Sequence, residues 1–191
     1  SKEFEKSLAA NETIEGTVVF VDICGFTSIS ESEKPDNVVK LLNDYFEIIV
    51  KQIIGQKGHI DKFIGDAVMA VFRGEYHLDR ALDACLATVA EIEKCLPFTG
   101  NTTFKPHVAI GINSGEMISG NIGSTSLRRL DYTVIGDTVN TAQRLQSIAG
   151  PGEIIINKNS YEKIKEFFQC ESKGTVSLKH KSLPEEIYRV V

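Results

Sequence analysis

The chain has 191 residues, of which 42% are hydrophobic and 25% charged. This is globular composition at single-domain length: it excludes disordered and collagen-like chains, and about 70% of the unfolded surface can be buried without disulfides or a structural metal. Lys and Arg number 21 against 26 Asp and Glu, a formal net charge of −5, which excludes a non-specific grip on nucleic acid or on an anionic membrane.

The four cysteines, Cys24, Cys85, Cys95 and Cys170, show neither CxxC nor zinc-finger spacing and read as reduced thiols of a cytoplasmic protein. No apolar run approaches the ~20 residues that span a bilayer, and the start, SKEFEKSLAANE, has no signal-peptide core. A chain opening on Ser1 rather than Met reads as a piece of a longer protein, with a regulatory domain expected upstream. No composition break marks a linker, so residues 1–191 read as one domain with a polar lead over 1–15.

In chain order, GTVVFVDI (Gly16 to Ile23) is a β-branched apolar run expected of a central strand covered on both faces. From Pro35, Val38, Leu42, Tyr45, Ile49 and Ile53 recur at helical steps, with Gly55 and Gly58 past the end. His59 to Phe72 reads as two strands joined by a tight turn at Gly65-Asp66. Leu78 to Leu96 is a second helix and Lys105 to Asn113 a strand. The order strand, helix, strand, strand, helix, strand is the split βαβ arrangement of the ferredoxin-like class, βαββαβ, within an α/β (α+β) fold. A C-terminal β/α extension follows: a hairpin around Gly115 to Asn121, a strand at Asp131 to Ile135 and a helix opening at Gly136-Asp137. Beyond it come a strand at Glu153 to Ile156, a helix over Ser160 to Phe168, and strands at Thr175 to Leu178 and Glu186 to Val191.

Asp22 ends an otherwise apolar strand, where a carboxylate is costly to bury unless paired or bound to a cation. Alone it reads equally as a turn or cap residue. Asp66, at the hairpin tip, can converge with it at one sheet edge, and two hard oxygen ligands beside a backbone loop suit Mg²⁺ with phosphate oxygens. The loop Ile23 to Ser28, including Phe26 and Thr27, is expected to offer backbone amides to a polyphosphate. No Walker A sequence exists, since Asn121 stands where lysine is required after Gly115 and Gly120. Asn140 and Arg144 lie four apart on one helix and so face the same way. An arginine over a transferring phosphoryl group can contribute ~10³ to 10⁵ in rate, whereas composition alone would make it a surface residue.

The segments VFVDICGFT, KFIGDAVMAVF and YTVIGDTVNTAQRL resemble the class III nucleotidyl cyclases, over about Gly16 to Val191. The resemblance implies a domain that makes cyclic nucleotide and pyrophosphate from a nucleoside triphosphate, using two Mg²⁺ ions that Mn²⁺ can replace. It implies Asp22, Asp66 and the Ile23 carbonyl as metal ligands, Asn140 as the residue orienting the ribose and Arg144 as the one stabilising the transition state. Lys179, in VSLKHKS, resembles a polyphosphate-binding lysine, with Arg128 or Arg129 as its companion. Lys62 and Thr133 correspond to the residues that read the base. A lysine donor and a hydroxyl acceptor complement N1 and N6 of adenine, whereas guanine presents the reverse pattern, so ATP is the expected substrate. Threonine at 133 resembles the bicarbonate-responsive subgroup, and because a hydroxyl also donates, some GTP use is compatible with it. The resemblance further implies a head-to-tail homodimer with two shared sites, and both residue sets occur in this one chain. The rivals are a guanylate cyclase, a catalytically silent nucleotide-sensing or dimerisation module, and a diguanylate cyclase or polymerase palm. IGDAV in place of GGDEF argues against the last of these.

Overall fold

The computed structural model describes residues 11–124, 126, 129–178 and 183–191. Its first strand, β1 (Glu12–Ile23), leads into a short helix α1 (Phe26–Ser32) and a long one, α2 (Pro35–Gly55). Pro35 sits at the first helical position of α2, where its missing N–H has no intrahelical acceptor to lose. The hairpin β2 (His59–Ile64) and β3 (Ala67–Arg73) follows, then α3 (His77–Glu93) and a two-residue pair, β4 (Phe98–Thr99) and β5 (Thr103–Phe104). The remainder is β6 (Val108–Ser124), β7 (Arg129–Ile135), α4 (Asp137–Ile148), β8 (Ile154–Asn157), α5 (Lys158–Ile164), β9 (Cys170–Val176) and β10 (Glu185–Val190).

Among the described residues the main sheet runs β2-β3-β1-β6-β8-β10-β9, with β7 hydrogen-bonded to the outer half of β6. Its first four strands give the order of a ferredoxin-like core, as expected, and every neighbouring pair is antiparallel except β6 with β8.

The period-2 alternation of β1 divides the interior. Val19, Val21 and Ile23 face a core closed by Tyr45, Ile49 and Ile53 of α2 and by Leu78, Leu82 and Ile92 of α3. Val18 and Phe20 face the other way, against Met69, Met117, Val134, Val139 and Ala142. Each of the buried Val, Leu, Ile, Phe and Met side chains among them, taken from water, stabilises the fold by about 1.5–3 kcal/mol. Asp22 follows Phe20 in parity and therefore belongs to this second face, the one that carries β7 and α4.

The position of α4 depends on Gly111. A Cβ there would lie 2.2 Å from the Gln146 amide nitrogen and 2.4 Å from the Ala142 carbonyl oxygen, so the helix backbone rests directly on β6. Thr138 Oγ1 donates to the Glu116 carbonyl at 2.7 Å, and Asn113 Nδ2 donates to the Thr138 carbonyl at 3.2 Å.

Two expectations are corrected. The hairpin expected around Gly115 to Asn121 does not form: β6 runs on through those residues to Ser124 and pairs with β7. Gly115 serves close packing rather than a turn, since a Cβ there would meet Thr138 Oγ1 at 2.7 Å. Half of the phosphate loop expected over Ile23 to Ser28 is helix, because α1 already begins at Phe26, and Ile23 still belongs to β1. No described helix is long and apolar enough to cross a membrane.

Candidate active site

The β2–β3 turn has glycine at the first of its two central positions, Gly65, with φ +60°, as a type II′ turn requires. It holds Asp66 beside the end of β1: the Ile23 amide donates to the Asp66 carbonyl at 3.2 Å, and Asp22 pairs in register with Ala67. The two carboxylates, on different elements, thereby come within hydrogen-bonding contact. Asp22 is pushed up to about 7, first by partial burial, then by the charge of Asp66 and the hydrogen bond with it. Burial and the neighbouring Asp22 push the Cys24 thiol up to about 11, leaving it an unreactive neighbour.

A pair of like charges under this strain is relieved by a divalent cation, and two carboxylate groups plus the Ile23 carbonyl are the hard oxygen donors that fit Mg²⁺. Among the described residues no cluster of three or more His, Cys, Asp or Glu side chains surrounds them. The other coordination positions would fall to water and to a ligand's phosphate oxygens, the manner in which Mg²⁺ is commonly held.

A second locus lies on the same face. A cavity of about 310 Å³ is lined by Lys62 of β2, Phe20 and Met69 at its floor, Asp131 and Thr133 of β7, and Val139 and Gln143 of α4. Apolar side chains form its base and a few polar groups point in, the usual build of a small-molecule pocket. Lys62 and Thr133 thus face one space; Asp22 and Asp66 are not in its lining.

Asn140 and Arg144 project from α4. Asn140 is exposed on the first turn, and the Arg144 guanidinium has a buried Nη1 with no protein partner, a donor suited to an anion. Thr27 is exposed on α1, while the Phe26 ring is buried edge-on against Phe104, centroids 6.0 Å apart. Only the backbone amide of Phe26 remains to meet a ligand, not its side chain. Arg128 and Lys179 lie outside the described residues.

Sequence reasoning missed Asp61. Its carboxylate is 3% exposed, accepts a 2.7 Å hydrogen bond from the Thr133 hydroxyl, and lies 3.5 Å from Lys62 Nζ. Strict alternation puts Asp61 on the opposite face from Lys62, and nothing in HIDKFI signals the irregularity that brings them together.

The family profile described as the adenylate and guanylate cyclase catalytic domain matches residues 8–190. An adenylate cyclase of Anabaena cylindrica is 38% identical over 146 residues, covering 74% of this chain and 28% of that protein. The crystal structure of the adenylyl cyclase CyaB from P. aeruginosa superposes with a TM-score of 0.84 at 32% identity, over 95% of each chain. The guanylate cyclase domain of RhGC from Catenaria anguillulae, solved with GTP, gives 0.84 at 27% identity over 94% of this chain and 98% of that one. The chain spans about a quarter of the length of the curated relatives it matches. With a matching profile over nearly its whole length and a shared fold, the chain belongs to the adenylate and guanylate cyclase catalytic domain family.

Proposed function

We propose that this domain converts ATP to 3′,5′-cyclic AMP and pyrophosphate, at two sites shared between the copies of a head-to-tail homodimer. The observation that carries the choice of ATP is the pairing of Lys62 with Thr133 around one cavity. Lys62 donates to adenine N1 and Thr133 accepts from the N6 amine; guanine would leave both groups mispaired. Two divalent ions, held by Asp22, Asp66 and the Ile23 carbonyl, would acidify the ribose 3′-hydroxyl and neutralise the triphosphate.

The remaining roles belong to side chains of α4 and to loop groups. Asn140 orients the ribose so that its 3′-oxygen stands in line with the α-phosphorus. As the O3′–P bond forms and the bond to pyrophosphate breaks, Arg144 stabilises the charge spread over the phosphoryl oxygens. The hydroxyl proton passes to Asp22 or to water. The amides of Phe26 and Thr27, at the free start of α1, and Lys179 with Arg128, from the resemblance of their segments, hold the polyphosphate. The absence of Asp22 and Asp66 from the lining of the Lys62 and Thr133 cavity supports a site completed by a second copy. The chain's share of its relatives' length supports a catalytic domain within a longer, regulated protein.

The experiment is incubation of the purified chain with ATP or GTP and Mg²⁺ or Mn²⁺, with chromatography of cyclic nucleotide and pyrophosphate. Cyclic AMP in excess over cyclic GMP is the expected result. Cyclic GMP as the main product moves the reading to a guanylyl cyclase, and nucleotide binding without turnover moves it to a sensing module.

A further inference from the structure

The β2–β3 ladder pairs Ile60 with Ala70 and Lys62 with Met69, so Asp61 is a surplus residue with nothing opposite it. Such a bulge breaks the strict alternation of the strand, and it sets the Asp61 and Lys62 side chains together. Asp61 does not line the Lys62 cavity. It lines a neighbouring one of about 220 Å³; Thr133 and Val134 of β7 line both, and of the two it is Thr133 whose hydroxyl reaches the Asp61 carboxylate.

Thr133 has one hydroxyl proton, and a carboxylate can only accept. The proton therefore lies along the 2.7 Å contact to Asp61 Oδ2. The next acceptor, the Val134 carbonyl at 3.5 Å, is too distant to compete. We propose that Asp61 is a positioning residue for base selection: by holding the Thr133 proton it leaves that oxygen to face substrate as an acceptor only. A purine that presents an exocyclic amine is then preferred over one that presents a carbonyl. The inference rests on the reading of Lys62 and Thr133 as the base-contacting pair. Without Asp61 the hydroxyl is free to rotate and donates to a carbonyl as readily as it accepts from an amine.

The test compares Asp61→Ala, Asp61→Leu, Asp61→Asn, Thr133→Val and the double variant Asp61→Ala/Thr133→Val. Leu keeps the branched shape without an acceptor, which covers the case in which the alanine variant does not fold. Two quantities are read: the ratio of kcat/KM for ATP over GTP, and calorimetric affinities for 3′-deoxy-ATP and 3′-deoxy-GTP, which bind but lack the attacking hydroxyl. Loss of the acceptor should lower both ratios roughly tenfold, the scale of one mispaired hydrogen bond. Asp61→Asn retains an acceptor oxygen and should keep both ratios within about threefold of wild type. In the double variant the Asp61 effect should vanish, because there is no hydroxyl left to orient. Wild-type ratios in Asp61→Leu beside lowered ratios in Thr133→Val would overturn the role of Asp61 and leave the base reading standing. Full additivity in the double variant also overturns it, and unchanged ratios in Thr133→Val overturn both.

Discussion

Asp22 and Asp66 come into hydrogen-bonding contact where the end of β1 passes the tip of the β2–β3 hairpin. Asp22 is raised from its ordinary 3.8 to about 7 in the folded chain, so the folded state holds this proton more tightly than the unfolded one. Stability is then greatest below about pH 4 for this group and is lost as pH rises through about 7. Thermal melts in chelator should show the melting temperature falling across that window. Saturating Mg²⁺ or Mn²⁺ should remove the fall, and Asp22→Ala should abolish it. Because the group is only partly buried, solvent screening makes the fall smaller than the shift alone implies.

Lys62→Glu with Thr133→Cys should move substrate preference towards GTP, since a carboxylate accepts from the guanine N1–H and N2 amine where lysine cannot. A change in the kcat/KM ratio of about a hundredfold is expected for two re-matched contacts. Purified protein with an unaltered ratio would count against both assignments.

Asp22→Ala and Arg144→Ala should each be inactive alone. Mixing equal amounts should restore about a quarter of wild-type activity, because half the dimers are hybrids and each hybrid has one intact site. Verified heterodimers with no recovered turnover would rule out sharing.

Gly111→Ala should lift α4 from β6, since the added methyl collides with helix backbone rather than with a side chain that can swing aside. Overpacking of this kind costs about 1–3 kcal/mol, measurable by urea denaturation. Activity should fall further than stability predicts, because α4 carries Asn140 and Arg144.

The core was legible where periodicity was clean. Gly16 to Ile23 lies within β1, and Val38 to Ile53 recur along α2, because a strand buried on both faces and a one-sided helix leave unmistakable apolar spacing. Glycine was ambiguous: Gly65 makes a turn, whereas Gly111 and Gly115 give space to α4, and the sequence has the same letter for both uses. The meeting of Asp22 with Asp66 followed from strand order, which the split βαβ pattern supplies. Asp61 was invisible for the opposite reason. Its side chain is turned by an unpaired residue in the ladder, and no residue type near it demands that irregularity.

The surplus residue in β2 has a consequence for how this domain can change. Pairing resumes on both sides of it, with Ile60 on Ala70 and Lys62 on Met69, so the disturbance is absorbed within one rung. Deleting that residue, Asp61, would restore an uninterrupted ladder and take the carboxylate away from Lys62 and Thr133, while the helices over the far face keep their seats. On the proposed reading of Lys62 and Thr133, base choice would then rest on a local matter of strand length, separable from the architecture that brings the acids together.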